Sequence, residues 1–179
     1  MSILSRLGLL GARREADGGS EGETETVRRI AARLERLPLE ERRFVAAFAY
    51  VLARVAQVDL RIEESEALAM ERIVAFQAGL GPEEAALAVE IAKRHAELLG
   101  GTENYVVTRE FRRLSSHEQR LRLVDCLYAV AAADENVSSI ESGEIAAIAE
   151  ELGVGHAELV EIRGRYREKL GVLKRPAKP

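Results

Sequence analysis

The chain has 179 residues, 30 acidic against 26 basic, and is 47% hydrophobic with only 4% aromatic residues and no Trp. That length suits one domain or a two-lobed one, and a core of Leu, Ile, Val and Ala suits packed helices. A net charge of −4 argues against a general nucleic-acid binder, which carries a basic stripe, and the single Cys126 excludes an intrachain disulfide or a cysteine-based zinc site.

Met1–Gly11 is apolar, but far shorter than the ~18–20 residues that span a bilayer. It reads as a flexible tail, with a small amphipathic surface element and peripheral membrane contact through residues 1–11 as the lesser option. No secretory cleavage pattern follows, and a reduced cytoplasmic setting is expected. Asp17–Glu23 is Gly/Ser-rich and reads as a linker. The expected organisation is therefore a tail and linker over 1–23, a helical domain over 24–173 and a frayed end over 174–179.

From Thr24 onward the apolar period is helical. Val27, Ile30, Ala31 and Leu34 mark a first helix, stopped by Pro38. Phe44, Val45, Phe48, Val51, Leu52 and Val55 mark a long second one ending near Val58, and Leu68, Ile73, Val74 and Phe76 a third ending at Gly79. Gly81-Pro82-Glu83-Glu84 starts a fourth, because Pro is pre-set for the first helical position and acids suit the positive N-terminal end. It is carried through Leu87, Ile91 and Leu98 to Gly100-Gly101. A short helix covers Val107 to Leu114. Ser116 and Gln119 form a capping box for the helix of Leu121, Val124, Leu127, Tyr128 and Ala131. Ile140, Ile145, Ile148 and Leu152 mark the next, ended by Gly153, and a last helix runs from His156 through Leu159, Ile162 and Tyr166 to Leu170. No strand pattern appears. The fold class expected is all-α, a seven- or eight-helix bundle built from two related helical halves.

The halves are related by a short acidic pattern that occurs twice. Val55-Ala56-Gln57-Val58-Asp59 continues to Glu66, and Val130-Ala131-Ala132-Ala133-Asp134 continues to Glu141. At a 75-residue offset, Leu52, Val55, Ala56, Asp59, Glu66 and Ile73 meet Leu127, Val130, Ala131, Asp134, Glu141 and Ile148. One supersecondary unit has been used twice. Each Asp falls at a helix C-terminus, where unpaired carbonyls make the setting negative and a partner is needed. Each Glu falls in the first turn of the following helix. Carbonyls and two carboxylates together make a hard-oxygen cluster suited to Ca²⁺ or Mg²⁺. The competing reading is structural: Asp closes turns, and Ser138-x-x-Glu141 is itself a capping box. The loops are not EF-hands, since the sixth and twelfth positions counted from Asp134 are Ser139 and Ile145, and from Asp59 are Glu64 and Met70.

The two half-sites differ. Glu135, Asn136, Ser138 and Ser139 add oxygen donors to the second, while Leu60 and Arg61 stand in the first, where Arg61 can replace a cation by pairing with Asp59 or Glu66. Other chemistry is thin. His95, His117 and His156 lack ligand spacing and read as solvated. Cys126 reads as a buried small hydrophobe. The run Arg109, Arg112, Arg113, Arg120, Arg122, near Tyr105 and Phe111, leaves an anionic partner as an option. No nucleophile elbow, phosphate loop or Glu-x-x-His pair occurs, so no enzyme is expected.

The duplicated motif, Ala132-Ala133-Asp134-Glu135-Asn136-Val137-Ser138-Ser139-Ile140-Glu141 above all, resembles the tellurite-resistance TerB family, whose members carry A-D-G-x-[IV]-x-x-x-E after a long apolar helix. The usual Gly is Leu60 in one copy and Glu135 in the other. The resemblance implies a helical fold over about Val45 to Leu170, divalent-cation sites at Asp59, Glu66, Asp134 and Glu141, and a role in tellurite or membrane-stress responses. The alternative is a helical protein–protein interaction module with no metal. A protein partner is expected either way, with a homodimer as one form.

Overall fold

The computed structural model describes residues 21–56, 64–94, 104–133 and 137–170. Eight α-helices lie among them: α1 Glu21–Glu35, α2 Leu39–Ala56, α3 Glu64–Ala78, α4 Pro82–Lys93, α5 Asn104–Leu114, α6 His117–Ala131, α7 Ser139–Leu152 and α8 His156–Arg165, followed by a 3₁₀ turn over Arg167–Lys169. Residues 1–20 and 171–179, which hold most of the expected tails, lie outside the described residues. The first helix begins at Glu21, inside the stretch read as linker: glutamates are good helix formers and one Gly is tolerated.

Two helices form the centre. On α2 every residue from Val45 to Ala53, together with Val55, is buried, and a helix apolar nearly all round belongs inside a core. Its repeat-mate α6 buries Leu123, Val124, Cys126, Leu127 and Tyr128. α3 and α4 complete the first half, α7 and α8 the second. Each half lends its second helix to the other, for α3 packs on α6 and α7 on α2. α1 lies on α4 and α2, and α5 lies across α2 and α7. Phe111 of α5 meets Phe44 at a centroid distance of 5.0 Å and Phe48 at 6.2 Å, which seats α5 against the first half of α2.

The ends follow local chemistry. Ser116 Oγ accepts the Gln119 N–H at 3.2 Å while Gln119 Oε1 accepts the Ser116 N–H at 2.8 Å, the expected box. The repeat also extends further than the acidic motif. The Gly81 N–H donates to Glu84 at 2.7 Å and the Gly155 N–H to Glu158 at 2.8 Å, so α4 and α8 start alike. Gly79 and Gly153 end α3 and α7 with φ of 69° and 71°, a left-handed setting that costs other residues strain. At the second of these the Val154 N–H reaches Ala149 O and the Gly153 N–H reaches Glu150 O, a Schellman close.

Among the departures from the sequence reading are two helix ends and one helix face. α4 stops at Lys93, where Arg94 leaves helical angles at φ −104°, ψ 13°, rather than running to Leu98. α8 stops at Arg165 because Tyr166 does the same, and the chain turns instead of continuing to Leu170. On α3 the buried stripe is Met70, Val74 and Ala78; Leu68 and Phe76 face outward, 58% and 85% exposed.

Two glycines, one within α7 and one just past its end, test this local account. Gly153→Ala is expected to cost about 1–2 kcal/mol, because Ala resists a positive φ and its Cβ would lie 2.8 Å from the Arg112 guanidinium. Gly143→Ala, in mid-helix with open space around it, is expected to gain ~0.5–1 kcal/mol. Urea unfolding of the two variants reads both signs.

Candidate functional site

Of the four candidate ligands, Asp59 and Asp134 lie outside the described residues, as do Leu60, Arg61, Glu135 and Asn136. Glu66 stands in the first turn of α3, its side chain undescribed. Glu141 is described in full. It is only 7% exposed, and its Oε2 accepts the Ser138 N–H at 2.7 Å while Ser138 Oγ accepts the Glu141 N–H at 3.1 Å. The capping reading of Glu141 is therefore realised. A carboxylate has about four acceptor positions, so one cap bond leaves it able to accept more.

The frame around these residues is well defined. Arg112 sits over Gly153 while its neighbour Phe111 sits on Phe44 and Phe48, so the C-terminal end of α7 lies beside the first half of α2. The start of α7, with Glu141, consequently lies toward the end of α2, from which the chain leads to Asp59. The Arg122 guanidinium sits over Gly79, so α3 likewise ends beside the start of α6 and begins beside its end, from which the chain leads to Asp134. Since α6 and α7 are joined by a short loop, the last turns of α2 and α6 and the first turns of α3 and α7 gather at one end of the bundle. Helix C-termini bring carbonyls there and helix N-termini bring N–H groups, and part of each set is already taken up locally, the Ala132 carbonyl by Lys169 and the Glu141 N–H by Ser138.

The second loop is held from outside by the C-terminal segment. Lys169 Nζ donates to Ala132 O at 3.1 Å, a cation on a terminal helix carbonyl. The Val137 N–H donates to Lys169 O at 2.8 Å, and buried Val137 and Leu170 form a single parallel bridge. Among the described residues no three of His, Cys, Asp and Glu are grouped closely enough to hold a metal ion.

The family model described as Tellurite resistance protein TerB matches residues 44–164. The chain belongs to the TerB family. No curated protein and no solved structure matches it. The TerB match takes in both acidic loops and leaves α1 and Lys169 outside. Among the described residues no helix is long and apolar enough to cross a membrane.

Within the TerB region the sequence reading missed one constellation. Arg54 is the one charged residue between Arg43 and Asp59, and its side chain is 7% exposed. Its Nε lies 2.8 Å from Glu144 Oε1, its Nη1 2.7 Å from Glu151 Oε2 and 2.9 Å from Thr108 Oγ1. One guanidinium thus joins α2, α5 and α7. Burial alone would lower its pKa, but the hydrogen bonds and charges of Glu151 and Glu144 outweigh burial and raise it. The lone charge in an apolar run was the available signal.

The remaining candidates resolve into structure. Arg112 and Arg122 cover the two helix-ending glycines, Arg120 donates to Leu152 O at 2.8 Å, and Arg113 pairs with Glu110. Most of the arginine run thus serves helix ends. His117 is half exposed and bonds Glu158 at 2.7 Å; that bond, with the Gly155 N–H, lowers the Glu158 pKa. His95 lies outside the described residues, and His156 is exposed. Cys126 is buried, and burial pushes its thiol up to about 12, which leaves negligible thiolate at neutral pH.

Truncating Arg54 tests the constellation. Arg54→Ala leaves Glu144 and Glu151 facing each other without a cation and is expected to cost about 2–3 kcal/mol in urea unfolding. That is less than the ~3–5 kcal/mol for breaking a fully buried pair, because the carboxylates keep some solvent. Arg54→Met with Glu144→Ala and Glu151→Leu is expected to recover most of the loss.

Proposed function

We propose that this TerB protein is non-catalytic and binds a hard divalent cation, Ca²⁺ or Mg²⁺, through Asp59, Glu66, Asp134 and Glu141. The physiological setting would be tellurite resistance or an envelope or chemical stress response in the cytoplasm, with a protein partner. The observation that carries the reading is the gathering of four helix ends at one end of the bundle, each of which leads to or bears one of these acids. Two C-terminal ends offer carbonyls there, and an ion ligated across them would tie helices of both halves and stabilise the fold by mass action.

A second reading has its own support. Glu141 already caps α7, and Lys169 already supplies a positive charge to an α6 carbonyl. On that reading the acids are turn and cap residues of a helical interaction module that binds another protein and no metal.

Calorimetry and melting curves with Ca²⁺, Mg²⁺, Mn²⁺ and Zn²⁺ separate the two. The cation reading expects heat and a raised Tm for at least one hard ion. Because the second loop is richer in oxygen donors, the expected loss is larger in Asp134→Asn than in Asp59→Asn. Lys169→Ala should tighten binding by freeing the Ala132 carbonyl. No heat and no Tm shift for any ion leaves the interaction module.

A further inference from the structure

Charge is unevenly spread along this chain. Residues 163–179 hold seven basic residues against one acid, Glu168, a net charge of +6. The rest of the chain holds 19 basic against 29 acidic residues and so carries −10. The match to the TerB model ends at Gly164, so the basic segment lies almost wholly beyond it. An excess of one sign confined to one end of a chain marks a place where a partner of the other sign is met.

The described part of this segment is concave. Gly164, Arg165, Tyr166, Arg167, Glu168 and Lys169 line a cleft of about 350 Å³ where α8 gives way to the 3₁₀ turn. Gly164 keeps the cleft open, for a Cβ there would meet nothing within 4 Å. The end of α8 accounts for part of the positive charge, since cations suit the last turn of a helix. Arg165 is further engaged, 3.4 Å from both Asp125 and Glu161. The helix end does not account for Arg167, which is exposed and stands past it. Among the described residues its guanidinium has no ion pair and no hydrogen bond. Lys169 uses one of its three donors, on Ala132 O. Two cations with free donors thus border one cleft, and a guanidinium fork fits a carboxylate with two parallel bonds.

The surroundings narrow the class of partner. Glu168 lines the cleft, and Asp125 and Glu161 flank Arg165. A broad polyanion, such as a duplex or a bilayer, would meet these acids together with the cations, on a body that is itself negative. A bilayer also takes up a whole apolar helix face. Here Ile162 and Leu170 are buried, and Tyr166 is half-buried with its hydroxyl donating to Asp125. Val160, one turn before Gly164, is 53% exposed, enough to seat one side chain of a peptide. A single extended chain is narrow enough to lay its carboxylates on Arg167 and Lys169 and avoid the acids.

We propose, resting on the protein partner of the reading above and not on its cation, that the Gly164–Lys169 cleft docks an acidic segment of that partner. Arg167 and Lys169 pair with its carboxylates, and Val160 meets an apolar side chain beside them.

A fluorescein-labelled peptide of alternating Glu and Leu tests this by fluorescence anisotropy, with the Gln/Leu peptide as control. Working in EDTA keeps the result separate from any failure of the cation reading. The Gln peptide is expected to bind at least about tenfold more weakly than the Glu peptide, whose affinity falls as salt rises. Arg167→Glu is expected to weaken binding about tenfold, and Gly164→Gln, which fills the cleft with a better helix former, about fivefold. Arg72→Glu makes the same change of net charge on α3 and is expected to alter binding by less than about twofold. Both cleft variants should unfold in urea like the wild type or later, since Arg167 has no partner to lose and Gly164 no neighbour to displace. On titration with the Glu peptide, amide shifts are expected to move over Gly164–Lys169 and also at Val137, whose N–H donates to Lys169 O. No binding of the Glu peptide, or an equal loss in Arg72→Glu, would overturn the proposal. So would single-stranded RNA or phosphatidylglycerol vesicles binding more tightly than the peptide through Arg167, which assigns the cleft to a different class of partner.

Discussion

The fold depends on how a single guanidinium is satisfied. Arg54 sits buried in the last turn of an apolar helix, where an unpaired charge is not tolerated. Its partners are Glu144 and Glu151 on α7 and Thr108 on α5. Satisfying all three fixes the height of α7 along α2 and the position at which α5 crosses both. The same registration brings the start of α7 to the end of α2, and hence brings one acidic helix end of each half to the same place. Hydrophobic burial alone sets no such register, because the Ala- and Val-rich surface of α2 offers many nearly equivalent seats.

The two halves share more than the acidic motif. The Gly-x-x-Glu starts of α4 and α8 and the left-handed glycines after α3 and α7 are common to both. They diverge on one face: where Arg54 of α2 meets Glu144 and Glu151 of α7, the equivalent positions on α6 and α3 hold Ala129, Ala69 and Phe76. Duplicated units that keep their ends and change one face keep the way each half closes and alter what lies against it. The C-terminal segment adds a second difference, since Lys169 and Leu170 lie against the second loop.

Much of the fold was legible because its signals are local. Ser116 with Gln119, Ser138 with Glu141, Pro82 and Gly153 each state a helix end within four residues, and the structure places ends there. What was not legible acts at a distance. Nothing near Arg54 indicates that its partners lie 90 and 97 residues on. Apolar spacing placed Leu68 and Phe76 on a helix correctly, but periodicity does not reveal which apolar residues another element covers. The ends of α4 and α8 were missed because neither Arg94 nor Tyr166 is a helix breaker by type. Of the candidate site, only the role of Glu141 as a cap could be read and then seen in full.

The burial of Cys126 gives this protein a built-in clock. The thiol lies on α6, the central helix of the second half, and its pKa near 12 keeps it silent toward alkylating reagents while α6 is closed. Each opening of α6 returns the thiol to its ordinary acidity and makes it reactive for as long as the opening lasts. The rate of alkylation therefore counts openings of α6, the helix on which the second half is built. With one cysteine in the chain, that count needs no engineered probe.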